Sequence, residues 1–151
     1  MESHRSVSLR RAVATAAAVG MAGTAVLLGA GPAGAHAPDA CRAYGPTTAH
    51  PWVKVVAQDN AFDTDCIMAP ADRGFRIYLQ NNDRDTVHNL SIYSADPARD
   101  EKATQLYKGK SVKGQSQEEY SVDALPAGTY WFQDDKATTM WGQVQVPKSK
   151  K

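Results

Sequence analysis

From residue 51 onward the chain is cut into apolar stretches too short to make helices. The segment FRIYLQ at 75–80 alternates apolar and polar residues and stops at Asn81-Asn82-Asp83. Strict alternation places every second side chain on one face of a strand, whereas a helix repeats every 3.6 residues. Similar pieces recur at 52–57, 61–68, 88–94, 105–107, 119–122, 129–133 and 140–146, rich in Val, Ile, Tyr and Phe. Gly, Pro, Asn and Asp separate them, and those residues supply turn conformations. No window carries a sustained helical stripe; the one helical feature expected is a short turn around residues 100–104, after Pro97. Seven or eight short strands in about 110 residues predict an all-β Greek-key sandwich or barrel. There is no internal repeat.

The N-terminus fixes the expected compartment. Arg5, Arg10 and Arg11 precede AVATAAAVGMAGTAVLLGAGPAGA, an uncharged run ending in small residues. A basic head, an apolar middle and a small-x-small end make a secretory signal. A spanning helix is the rival reading of the same run. Arg10-Arg11 also raises twin-arginine export, although Ala12-Val13-Ala14 is a poor continuation of that signal, so Sec and Tat both stay open. Cleavage after Ala35 would leave His36 first; cleavage after Ala37 would leave Pro38, a poor residue to follow a cut. The organisation expected is a signal peptide at 1–35, an extended arm at 36–50, one domain at 51–147 and a basic tail at 148–151.

Loss of Glu2 and the three arginines takes the 17 basic and 16 acidic residues to 14 and 15, a net charge of −1. That balance gives no electrostatic case for nucleic acid. The chain after cleavage is expected to be a secreted monomer with no stable membrane insertion. Its two cysteines, Cys41 and Cys66, both lie in the exported part. An even count in an oxidising compartment argues for a disulfide between them. Two metal-binding thiolates are the alternative, but neither has a second ligand at short spacing.

Four stretches in order carry a family resemblance. They are Asn60-Ala61-Phe62 with 67–71; 75–81 followed by Val87-His88-Asn89-Leu90-Ser91-Ile92-Tyr93; Leu106-Tyr107-Lys108-Gly109; and Leu125-Pro126-Ala127-Gly128-Thr129-Tyr130 with Phe132 and Met140-Trp141-Gly142. Together they resemble the cupredoxin family, especially its plastocyanin- and halocyanin-like secreted domains and the EfeO-type cupredoxin-like domain. The resemblance implies a Greek-key sandwich. It also implies, in redox members, copper held by one histidine and by Cys-x-x-His-x-x-Met on the last loop. On that pattern His88 falls on the first histidine and Met140 on the methionine, while Asp134 replaces the cysteine and Ala137 the second histidine. A blue copper centre depends on its thiolate and imidazoles, with methionine a weak axial partner. The resemblance therefore implies a degenerate site.

Three functions fit these residues. A non-blue copper-binding or carrier module would use His88, Asp134 and Met140, with Asp135 nearby, and hand metal to a metal-handling partner. A metal-free extracellular interaction domain would use Trp141 or the loop with Lys108, Lys110 and Lys113. A histidine brace would use the α-amine and imidazole of His36 with His50 or His88. No catalytic constellation or GxSxG elbow is present, and no enzyme activity is expected.

Overall fold

The computed structural model describes residues 41–45 and 50–149. The expected signal segment at 1–35 and His36, the first residue of the expected arm, lie outside them. Among the described residues there are nine strands: β1 (Trp52–Gln58), β2 (Ala61–Phe62), β3 (Cys66–Met68), β4 (Phe75–Asn81), β5 (Ser91–Tyr93), β6 (Gln105–Tyr107), β7 (Ser116–Val122), β8 (Gly128–Gln133) and β9 (Trp141–Val146). They form a β-sandwich of a four-stranded sheet ordered β2-β1-β4-β7 and a five-stranded sheet ordered β3-β9-β8-β5-β6. β1 runs parallel to β4 and β3 parallel to β9; the other pairs are antiparallel.

Alternation sets the two sides of each sheet. In β1 Val53, Val55 and Ala57 are buried, while Trp52, Lys54 and Gln58 face out; in β4 Phe75, Ile77 and Leu79 are buried. They meet Leu90, Ile92, Phe132 and Val144 of the other layer in one apolar core. At roughly 1.5–3 kcal/mol per fully buried aliphatic or aromatic side chain, this packing is the main stabilising term.

The sequence pattern and the structure differ in three places. The stretch 61–68 is divided between the sheets. Asp63 accepts from the Val56 amide (2.9 Å) and Thr64 Oγ1 donates to the Cys66 carbonyl (2.9 Å). These local bonds compete with a continuous ladder and turn the chain across the sandwich, which raises the strand count to nine. The stretch 88–94 pairs as a strand only from Ser91; His88 forms an isolated bridge with Val112. Residues 100–104 form turns rather than a helix, because the Asp96 and Asp100 side chains take the nearby amides of Ala98 and Lys102.

The described part of the arm is fastened to the domain. Cys41 and Cys66 form a disulfide. Arg42 bridges Ile67 in parallel and its guanidinium holds both Asp63 carboxylate oxygens at 2.9 Å.

Candidate functional site

The two-residue turn between β1 and β2 begins the site. Asp59 and Asn60 both adopt left-handed conformations (φ 54° and 56°), which short polar side chains tolerate. Their successive amides donate to one carboxylate, Asp59 N to Asp83 Oδ1 at 2.6 Å and Asn60 N to Asp83 Oδ2 at 3.1 Å. Asp83 lies just past β4, where the buried Asn81 shapes the loop: its amide donates to the carbonyls of Thr86 and Val112, and its Oδ1 accepts from Asp83 N. Gly114 passes so close to the Asp83 and Arg84 carbonyls that a Cβ there would collide with both.

This loop delivers Asp83 to His88. Asp83 Oδ2 lies 2.9 Å from His88 Nε2, and Asp134, from the loop after β8, places Oδ2 2.6 Å from His88 Nδ1. The side chains of His88 and Asp134 are fully buried. Both ring nitrogens of His88 are thus engaged by carboxylate oxygens, with the direction of each bond set by the tautomer. The Asn60 amide holds the Asp83 carboxyl below its ordinary range; partial burial opposes this, and the bond from His88 adds to it. Asp134 is fixed in turn by the Lys136 amide on Oδ1 (2.8 Å) and by its own amide donating to the Met140 carbonyl (3.0 Å). One hydrogen-bonded line thus runs from the β1–β2 turn through Asp83, His88 and Asp134 to the last loop.

A second network lies beside it. Asn89, Ser91 and Tyr93 are spaced by two, and all donate to Asp135: Nδ2 at 2.9 Å, Oγ at 2.8 Å and the phenol at 2.6 Å. The Asp135 amide returns a bond to Asn89 Oδ1 at 2.9 Å. Burial pushes the Asp135 carboxyl up, but the bonds from Tyr93, Asn89 and Ser91 and the charge of Lys108 outweigh it and leave the value lowered. Burial first, then the bond to Asp135, pushes the Tyr93 phenol up from 10.0 to about 12.

The pair therefore shapes stability at both ends of the pH scale. A depressed Asp135 stabilises fully above the ordinary carboxylate value, near 4, and loses that contribution as pH falls through its lower folded value. A raised Tyr93 stabilises fully below 10 and loses its contribution between 10.0 and about 12. Tyr93→Phe is expected to cost about 2 kcal/mol at neutral pH and to flatten the alkaline limb, as measured by urea unfolding across pH.

Of the residues expected at a metal site, His88 and Asp134 are brought together. Met140 is buried in the core, its amide donating to the Ala137 carbonyl, and Ala137 packs against the same core. His50 lies exposed just before β1. Asp83 carries no ligand signal in the sequence, because it reads there only as the last residue of a turn cluster. Asn89, Ser91 and Tyr93 show as an alternation, but nothing local points them at Asp135. Trp141 is 41 % exposed and stacks on Trp131 with centroids 4.7 Å apart. Lys108, Lys110 and Lys113 are exposed, with Lys110 paired to Glu118 at 3.3 Å.

This donor set does not fit a blue copper ion. The chain has two cysteines and both are in the disulfide, so there is no thiolate. The second imidazole position is Ala137, and both nitrogens of His88 face carboxylates. Among the described residues no group of three or more His, Cys, Asp or Glu side chains is arranged to hold a metal ion.

The family profile described as Cupredoxin-like domain matches residues 24–146. Auracyanin from Roseiflexus castenholzii is similar at 17 % identity with a TM-score of 0.55, covering 64 % of this chain and 97 % of its own. Auracyanin A from Chloroflexus aurantiacus, a "blue" copper protein, is similar at 18 % identity with a TM-score of 0.55, covering 63 % and 97 %. Amicyanin from Paracoccus versutus aligns at 19 % identity over 70 % of this chain and 89 % of its own, with a TM-score of 0.46. No curated protein sequence matches.

Proposed function

The chain belongs to the cupredoxin-like domain family, and from that premise we propose that it is an exported, non-enzymatic binding module that works without a blue copper ion. The observation that carries this reading is the engagement of both His88 nitrogens by Asp83 and Asp134, with the ring fully buried. A proton-mediated link ties the β4–β5 loop to the last loop, the two segments on which the family pattern places copper ligands. Electron transfer of the blue copper kind lacks its thiolate, and fold alone does not supply it. Export rests on the N-terminal signal pattern. Among the described residues no helix is long and apolar enough to cross a membrane. Recognition of an extracellular macromolecule is the role left to the domain.

A non-blue copper carrier is the second reading, favoured by the imidazole and carboxylate 2.6 Å apart. Cu(II) titration of the mature protein, with its N-terminus verified by mass and electron paramagnetic resonance as readout, separates the two. Binding no tighter than to a scrambled histidine peptide is expected. A tight one-to-one signal with nitrogen couplings overturns the proposal. Its loss in His88→Gln would then assign it to this site, and its loss in His36→Ala to an N-terminal brace.

A further inference from the structure

The outward face of the four-stranded sheet carries a trough that the buried site does not explain. Three depressions run along it and share lining residues. One of about 300 Å³ is lined by Trp52, Lys54, Tyr78 and Gln117. A second, of about 440 Å³, continues from Gln117 to Gln80 and Asn82. A third, of about 500 Å³, continues from Asn82 past Gln58 toward the β1–β2 turn. From Trp52 to Gln58 the underlying strand spans about 20 Å at about 3.3 Å per residue.

The register makes this one surface. Val56 pairs with Gln80 and Gln80 with Gln117, while Lys54 pairs with Tyr78 and Tyr78 with Glu119. Residues paired across a sheet present their side chains on the same face. The aromatic end is held in place. Tyr78 meets Trp52 edge-on with centroids 5.6 Å apart, and Gly45 lies against the indole where a Cβ would sit 3.0 Å from the ring. Trp52 nevertheless stays 38 % exposed. The rest of the trough is a row of amides, with Gln80 donating to Asn82 (2.7 Å) and Asn82 to Gln58 (3.2 Å).

We infer that this trough binds an uncharged, extended polysaccharide chain. The inference rests on the proposed binding role and names its ligand class. Each amide offers a donor and an acceptor side by side, matching sugar hydroxyls, which both donate and accept. An exposed indole fixed against a half-buried phenol gives a flat apolar platform for the C–H face of a sugar ring, at low ordering cost. Charge points the same way. Arg76 and Glu119 neutralise each other at 3.1 Å, and Asp63 is held by Arg42. Among the described residues that line the trough, Lys54 then stands as the cation at one end and the exposed Asp59 as the anion at the other. Such a surface has no excess charge to select an acidic chain, a phosphate or a basic peptide.

Calorimetric titration of the mature protein with cellohexaose, xylohexaose, mannohexaose and chitohexaose tests this. At least one is expected to bind with a Kd between about 10 µM and 1 mM. Trp52→Ala is expected to weaken it at least about tenfold and Gln117→Ala about threefold. Trp52→Phe, which keeps a ring and the fold, retains most of the affinity. No heat from any hexaose up to roughly 5 mM, unchanged affinity in Trp52→Ala, or a polypeptide as the only ligand of this face overturns the inference. The copper titration is independent: hexaose binding by a copper-loaded protein would sink the metal-free reading and leave the trough standing.

Discussion

Replacement of His88 by alanine is expected to remove about 3–5 kcal/mol of folding stability, because it empties a fully buried ring site and strips the buried Asp134 of its hydrogen-bond partner. The Asp134 side chain is fully buried, and among the described residues His88 is the hydrogen-bond partner of its Oδ2. Asp83 would keep the amides of Asp59 and Asn60, so the penalty falls mainly on Asp134. A small domain has about 5–15 kcal/mol in total, so the variant should be marginal at 37 °C. The double variant His88→Leu/Asp134→Leu removes both hydrogen-bond partners together. Apolar replacement of a buried pair is often close to neutral, so most of the loss should be recovered. Urea unfolding of the two variants reads the difference. A cost below about 1 kcal/mol for His88→Ala would mean that the ring is not the partner on which Asp134 depends.

Loss of the Cys41–Cys66 disulfide is the second large effect. The bond closes a loop of 25 residues, for which the chain-entropy account gives about 3.5 kcal/mol at 25 °C. The arm also loses its covalent hold, leaving the Arg42 bridge to Ile67 and the guanidinium pair with Asp63. Cys41→Ala/Cys66→Ala is therefore expected to unfold at lower urea concentration with a nearly unchanged native spectrum. Because Gly45 of the same arm packs against Trp52, hexaose affinity should fall in this variant too. An unchanged midpoint would show that the remaining contacts hold the arm unaided.

Most of the fold is legible because burial on one face forces alternation. Residues 75–81 show this directly, and β4 is buried at Phe75, Ile77, Leu79 and Asn81. The disulfide is legible from an even cysteine count and the expected compartment. What escapes the sequence depends on contacts between distant elements. The break between Phe62 and Cys66 comes from side-chain bonds of Asp63 and Thr64, which cannot be told from a continuing strand by pattern. His88 and Asp134 stand out through the family pattern, but as one retained ligand and one replacement. That they are partners follows only when the β4–β5 loop and the last loop meet. Asp83 becomes the third member because two left-handed turn residues aim their amides at it. The trough is hidden for the same reason, since β1, β4 and β7 are far apart in the chain and join only through the sheet register.

His88, which the family resemblance sets on the first-histidine position, has both ring nitrogens engaged by the Asp83 and Asp134 carboxylates. Long-range ¹H–¹⁵N correlation of the histidine rings, recorded on the mature protein before and after Cu(I) addition, reads whether that engagement keeps metal from the ring. Both His88 ring nitrogens are expected to keep their shifts when the metal is added, with any ring N–H proton exchanging slowly. A His88 ring nitrogen that shifts on addition of a stoichiometric ion would contradict this.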